Sequence, residues 1–419
     1  SKAQAMKSEK AELTDTFFLI LLQGVNYILP LIVMPYLLYV LQPKGYGYVG
    51  FSYSFIQYFT LFVDFGFNLS GTKRIAQAKD QASRDAIFSN IASAKILLLV
   101  VSTLLMALLL FTIKDFQIYR LTIWATWPMI VGSSLTYMFL FQGIGKIRIF
   151  SMINTIAKVI CLPLIFLLVK QENDYNEAAF LQSIVFVFAA IFSDAYLIKK
   201  NLVTIQRPTW HGIKEEIGNS IPLFLSTAST SIYTQLFVII LGFYCTTVTI
   251  GYYTSADRIV RALIFLLYVP INQVFFPKIS TLSAKNRLQA KQIFTHLRNW
   301  VFGLMLALSI CIFLTAPLLP LLFGARYDGA IIYVRILSMI PLFVGLGGWY
   351  GQMGLVALGN EQTTNAFRNV YLTVAFFSIV AAMVIAPIFK SIGICALAAL
   401  SEFLVALLMF INYRKYQTA

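Results

Sequence analysis

The sequence predicts an all-α, polytopic membrane protein of about twelve transmembrane helices, and three observations carry that prediction. First, 59% of the 419 residues are hydrophobic and only 12% are charged, with a mean hydropathy of +0.78. Soluble domains sit near 45–50% apolar and about 25% charged, so this composition has lipid as its solvent. Second, the apolar residues fall in runs of about 20, the length at which a helix crosses the hydrocarbon core. Third, the basic residues concentrate in alternate connections between those runs, as they do where positive charge sets orientation.

The runs place spans at 15–41, 46–69, 91–113, 121–143, 150–169, 178–198, 219–243, 252–276, 299–323, 331–357, 370–389 and 392–412. Connections after spans 2, 6 and 8 are long and basic, for example Lys73, Arg74, Lys79 and Arg84 after span 2. Those after spans 1, 3, 5, 7, 9 and 11 are short and poor in Lys and Arg. With both termini inside, about 21 of the 32 basic residues are cytoplasmic and about 6 external. The orientation is therefore N-in, C-in. Gly47-Tyr48 opens span 2 and Gly251-Tyr252 opens span 8, and each span runs into a basic segment. That shift of six helices preserves orientation and predicts a parallel repeat about an axis along the membrane normal. The predicted lobes are 1–205 and 206–419, with a cavity between them.

Several function classes fall away. The net charge of +15 is dispersed over loops, with no contiguous basic domain to bind nucleic acid. The four cysteines lie far apart in or beside apolar runs, with no CxxC and no neighbouring histidine, so neither a disulfide framework nor a zinc site is indicated. The stretch up to Asp15 is polar, and the run after it is too long and lacks the small-residue cleavage site of a signal peptide. There is no GxxxxGK[ST] loop for ATP hydrolysis. His211 and His296 are the only histidines and fall in predicted cytoplasmic loops. No external loop is long enough to house catalysis. A transporter without its own ATPase, metal or cofactor is the simplest class left.

Charges inside spans are costly unless paired or facing water, and they mark function. In span 8, Arg258 and Arg261 are three residues apart and share a face. Arg261 lies roughly 15 Å along the helix. Their guanidinium forks suit phosphate oxygens, although Asp257 stands i,i+4 from Arg261 and can pair with it. Lys158, roughly 12 Å into span 5, can add positive charge to the same cavity. Lys95 and Arg335 lie near the ends of their runs, where snorkelling is expected. Among the acids, Glu402 in mid-span 12 needs a partner or a proton. Asp64 in Val63-Asp64-Phe65-Gly66-Phe67-Asn68 is open to coupling, capping or gating roles. Asp194 is expected to pair with Lys199-Lys200, and Asp257 has its arginines. Asp64, Glu402 and Asp257 are thus the coupling or gating candidates, with a proton or sodium as the ion.

Spans 1 and 7 are unusually polar. Gln23 and Asn26 with Pro30 and Pro35 stand in the first. Pro222, Ser226, Thr227, Ser229, Thr230, Tyr233, Thr234 and Gln235 stand in the second, with Thr227 and Thr230 in step with Gln23 and Asn26. Such residues can be interhelical glue, but their density fits a cavity lining, and the prolines permit bending. Gln23, Asn26 and Thr230 join Arg258, Arg261 and Lys158 as substrate-contact candidates.

The run Gln23-Gly24-Val25-Asn26-Tyr27-Ile28-Leu29-Pro30-Leu31 resembles the opening of bacterial polysaccharide transporters, the Wzx or O-antigen flippase family of the MOP superfamily. So do Gly47-Tyr48, Val63 to Leu69, Gly251-Tyr252-Tyr253 through Leu263, Pro270-Ile271-Asn272-Gln273, Phe276-Pro277-Lys278-Ile279-Ser280, Tyr327-Asp328-Gly329-Ala330 and Ser401-Glu402. The resemblance is collinear over nearly the whole chain. It implies a two-lobe fold shared with MATE antiporters and lipid II flippases, in the bacterial inner membrane. It implies an undecaprenyl-diphosphate-linked oligosaccharide as substrate, moved to the outer leaflet, with membrane lipids and other polysaccharide-assembly membrane proteins as partners. Arg258 and Arg261 would then be diphosphate contacts, while Asp64 and Glu402 match positions of unspecified role. A MATE-type drug antiporter is the rival on the same fold, disfavoured by the basic excess at mid-membrane. A membrane enzyme of polysaccharide assembly is the rival from another class, disfavoured by the short external loops.

Overall fold

The computed structural model describes the backbone over residues 2–418, and side chains at all of these except 2–23, 26, 27, 226, 227, 229, 230, 232, 273, 277, 417 and 418. The described residues are helical with no strand. This follows from the solvent: lipid offers no hydrogen bonds, so each crossing segment must satisfy its own backbone. Large apolar side chains also stand on the outer surface, including Phe111, Leu121, Leu321 and Phe376 at 82, 68, 81 and 72% exposure. An exterior of that kind is stable only against acyl chains.

The helices are α1 (Lys2–Asp64), α2 (Phe67–Gln77), α3 (Gln81–Thr112), α4 (Arg120–Thr126), α5 (Pro128–Ser134), α6 (Met138–Gly143), α7 (Ile147–Cys161), α8 (Pro163–Leu168) and α9 (Tyr175–Lys199), then α10 (Trp210–Tyr244), α11 (Thr247–Lys285), α12 (Arg287–Thr315), α13 (Leu319–Phe323), α14 (Ile331–Leu337), α15 (Ile340–Gly348), a π-helix (Trp349–Ala357) and α16 (Glu361–Thr418). Among the described residues, eight stretches are long and apolar enough to cross a membrane. Two of them hold more than one predicted span. α16 is interrupted at Lys390 (φ 50°, ψ −136°), and Ser378 and Ser401 on either side share a 2.7 Å hydrogen bond. A continuous helix would hold them about 35 Å apart, so the chain reverses there. α1 is likewise interrupted at Gln42 (φ 53°, ψ 176°), at the predicted connection between spans 1 and 2. Span 4 is assembled from α4, α5 and α6, with Pro128 at the start of α5.

Helices overrun their apolar stretches because hydropathy measures bilayer thickness and not helix length. α3 starts ten residues before its predicted span, where the Asp80 carboxylate accepts from Ser83 N at 2.7 Å. Hydrogen bonding from the Ser83 side chain, together with this backbone bond, holds the Asp80 carboxyl below its usual range. Asn286 Oδ1 accepts from Gln289 N at 3.2 Å and caps α12 in the same way. His211 and His296, expected in loops, therefore stand on α10 and α12.

The chain forms two compact units, residues 1–41 with 55–227 and residues 42–54 with 228–419. In the first, α9 packs on α4, α5 and α7, and Gly132 lets α5 approach the backbone at Phe186. The connection before α10 is pinned to α3: Thr204 N donates to Asp85 Oδ1 (3.1 Å), Gln206 N to Ser89 Oγ (2.8 Å) and Thr209 N to Asn90 Oδ1 (3.1 Å). The first turns of α10 are tied to α2 through Ser70–Ser220 (2.5 Å) and through Arg74 to Glu215 (3.2 Å) and Glu216 (2.9 Å). In the second unit, residues 42–54 lie along α11. Gly47 meets the Thr247 carbonyl and Gly251, and Gly251 meets the Pro43 carbonyl. The two glycines aligned by the proposed repeat thus lie against each other, where no Cβ fits.

Candidate functional site

Two groups of intramembrane charges are resolved, one in each unit. In the second unit, α11 carries Tyr253, Asp257, Arg258 and Arg261 over its second to fourth turns, and the closing half of α16 brings up Glu402. Arg261 Nε donates to Asp257 Oδ1 at 2.9 Å and its Nη1 to Glu402 Oε1 at 3.5 Å. Tyr233 on α10 donates its hydroxyl to the same Glu402 oxygen at 3.4 Å. Arg261 is therefore held by two carboxylates, and four formal charges cancel: two arginines against Asp257 and Glu402. The basic excess expected here is absent from this cluster, because α16 supplies an acid that the span 8 motif does not contain.

Arg258 is held differently. Its guanidinium lies 4.5 Å from the Tyr53 ring centroid and 5.7 Å from that of Tyr46, both on the 42–54 segment. Among the described residues no carboxylate is within ion-pair distance of it. Its Nη2 is enclosed with no hydrogen-bond partner. An unmet donor on a buried cation is costly, and aromatic faces stabilise the charge without neutralising it. Arg258, half-buried as a residue, thus holds an enclosed, unmet donor of the kind an anionic oxygen satisfies. Sequence reasoning missed Tyr46 and Tyr53. No sequence signal marks them: the tight Gly47–Gly251 approach that brings this aromatic segment against α11 exists only in the folded chain.

In the first unit, Lys95 on α3 is 1% exposed. Its Nζ lies 3.3 Å from Asp64 Oδ1 and donates to the Thr136 carbonyl at 2.8 Å. Ser133 Oγ donates to the same Asp64 oxygen at 2.9 Å. Lys95 does not snorkel, contrary to expectation: α3 starts at Gln81, so Lys95 is fourteen residues, about 21 Å, into the helix. The expected pairing of Asp194 with Lys199-Lys200 is also not found. Its Oδ1 is enclosed without a hydrogen-bond partner, and the charge it feels is that of Lys95. The group holds two carboxylates around one ammonium.

Of the other candidates, Lys158 is half-buried on α7 of the first unit. Arg335, expected to snorkel, is exposed and packs over Phe313 at 5.4 Å. Gln23, Asn26 and Thr230 lie outside the described side chains, as do Ser226, Thr227 and Ser229. α10 continues unbroken through Pro222. No cluster of three or more metal-ligating side chains occurs among the described residues.

The fold is similar to two kinds of solved transporter. A lipid II flippase, MurJ, in an inward closed conformation superposes with a TM-score of 0.75 at 15% identity, over 94% of this chain and 87% of that one. An inward-facing MATE-family multidrug transporter of the MOP superfamily gives 0.71 at 15% identity, over 93% and 94%. At that identity the likeness shows a shared fold. In sequence, the chain is 28% identical over 405 residues to a protein of Escherichia coli (strain K12) named "Putative O-antigen transporter", covering 96% of this chain and 97% of that one. A protein of the same name from Shigella dysenteriae is 29% identical over 397 residues, covering 94% and 98%. The model of one family, described as polysaccharide biosynthesis protein, matches residues 13–283. That match spans well over half of the chain and takes in both charge-bearing helices α3 and α11: the chain belongs to the polysaccharide biosynthesis protein family.

Proposed function

We propose that this protein is a flippase that carries an undecaprenyl-diphosphate-linked oligosaccharide across the bacterial inner membrane, and that Arg258 receives the diphosphate. The single observation that carries the site assignment is the Arg258 guanidinium, held between Tyr46 and Tyr53 with an unmet Nη2 donor. The O-antigen transporter relatives support the substrate class, and the flippase of like fold supports the mode of action. Transport, not catalysis, is the activity that this family membership favours.

Arg261 serves a different purpose in this reading. Saturated by Asp257 and Glu402, it braces α11 against α16 and keeps Arg258 at its depth. A proton or sodium ion as driving species draws support from the first unit, where Asp64 and Asp194 face one ammonium and leave a carboxylate in excess. Glu402 and Asp257, both engaged by Arg261, are better suited to bracing than to ion exchange. Membrane lipids and other polysaccharide-assembly proteins complete the partners of this reading.

Complementation of a strain lacking its flippase tests the assignment. Arg258→Ala should reach the membrane at wild-type level and fail to restore surface polysaccharide. Full restoration would remove Arg258 from the substrate path.

A further inference from the structure

A groove opens on the second unit between α12, α15 and the closing half of α16, enclosing a cavity of about 370 Å³. Phe302, Phe343, Phe403, Leu407 and Phe410 line it, with Arg298 at one end. The lining is a pattern and not a scatter. Phe403, Leu407, Phe410 and Arg414 recur at i, i+4, i+7 and i+11 along α16, one continuous stripe, and Arg298 and Phe302 are i,i+4 on α12. Arg414 lies 5.7 Å over the Phe410 ring, so both arginines stand at the same end of the groove. The basic-loop count places that end on the cytoplasmic side.

The walls and the end ask for different chemistry. Phe302, Phe403 and Leu407 are 42, 41 and 38% exposed within membrane-spanning helices, where the contacting solvent is hydrocarbon. Arg298 donates from Nε and Nη2 to Asn299 Oδ1, both at 3.2 Å. That amide orients the guanidinium but leaves its charge intact. Among the described residues no carboxylate is within ion-pair distance of Arg298. An apolar slot ending in two guanidiniums at headgroup depth is complementary to one kind of molecule.

We propose that this groove seats one acyl chain of an anionic phospholipid, with its phosphate between Arg298 and Arg414. Guanidinium forks match phosphate oxygens, and juxtamembrane cations draw anionic lipid. A cavity of about 370 Å³ is on the scale of a single fatty chain and too small to enclose a whole polyprenyl tail. The bound lipid would staple α12 to α15 and α16, bracing the helix that carries Glu402.

Native mass spectrometry of the full chain released from nanodiscs of equimolar phosphatidylglycerol and phosphatidylcholine tests this. The wild type should retain one phosphatidylglycerol in preference to phosphatidylcholine. Arg298→Ala with Arg414→Ala should lower that retention about tenfold, and the paired lysine substitutions should keep part of it. Leu407→Trp, which fills the slot and leaves both arginines in place, should lower it equally. Three results would overturn the proposal. They are equal retention of the two lipids by the wild type, undiminished retention by Leu407→Trp, or a dimer abolished by Leu407→Trp, which would make the groove an interface between copies.

Discussion

Replacing Arg261 by Met separates bracing from binding. In the wild type its guanidinium is shared between Asp257 (2.9 Å) and Glu402 (3.5 Å), whose side chains are 22 and 9% exposed. Without it, both carboxylates face each other's field in a membrane interior, with only Tyr233 left to donate to Glu402. Breaking such a network from one side costs about 3–5 kcal/mol. Arg261 is itself 34% exposed, so solvent screening puts the expected cost near the lower end, about 3 kcal/mol. For a chain of 419 residues that lowers the apparent melting temperature by about 3 °C, read by intrinsic fluorescence in detergent at one fixed scan rate, since unfolding of such proteins is kinetically controlled. The triple variant Arg261→Met, Asp257→Asn and Glu402→Gln leaves no carboxylate stripped of its cation, with Arg258 as the one charge remaining in the cluster, and should recover most of the loss. A single variant as stable as wild type, or a triple variant no better than the single, would refute the bracing role.

The other group and two local features give three more expectations. Lys95→Met should destabilise the protein by about 3 kcal/mol or more by stranding Asp64 and freeing the Thr136 carbonyl, and Lys95→Met with Asp64→Asn should recover most of it in the same melting assay. Gly251→Ala drives a methyl into the Pro43 carbonyl and should cost about 1–3 kcal/mol, whereas Gly218→Ala, in open space on α10, should be silent. The Asp80 cap sets a pH dependence: its carboxyl titrates below the usual range, so the cap is fully present above the unfolded value of about 3.9 and is lost as pH falls through the lower folded value. Hydrogen exchange over residues 81–90 should therefore be faster in Asp80→Ala than in wild type at neutral pH, with the difference closing in acid. A difference that stays undiminished down to acid unfolding would contradict the carboxylate cap.

Much of this architecture was legible because lipid makes the code simple: apolar runs of one length, separated by basic or turn-forming residues, map directly onto crossings. The reversals at Gln42 and Lys390 fall where spans 1 and 11 were expected to end. Element ends were less legible. Hydropathy is blind to helix that continues into water, so the apolar run puts Lys95 near a helix end although α3 begins at Gln81. Within the charge clusters, the i,i+4 pairing of Asp257 with Arg261 followed from helical periodicity. The engagement of Glu402 with that same arginine did not, since 141 residues separate them and only tertiary packing joins them. Tyr46 and Tyr53 were hidden for the same reason: an aromatic in a transmembrane run carries no mark that distinguishes a cation's platform from core. Asp194 shows the converse. Two nearby lysines in sequence suggest a partner, yet neither forms an ion pair with it, and the cation whose charge reaches it is Lys95, 99 positions earlier in the chain.

The central claim is that Arg258, and not its better-paired neighbour Arg261, meets the diphosphate. Binding of undecaprenyl diphosphate to the purified full chain in nanodiscs, titrated for wild type, Arg258→Ala and the triple variant Arg261→Met, Asp257→Asn and Glu402→Gln, tests it directly. Arg258→Ala should bind at least about tenfold more weakly, the value of one charge-assisted hydrogen bond, with the triple variant close to wild type. Wild-type affinity in Arg258→Ala would contradict it.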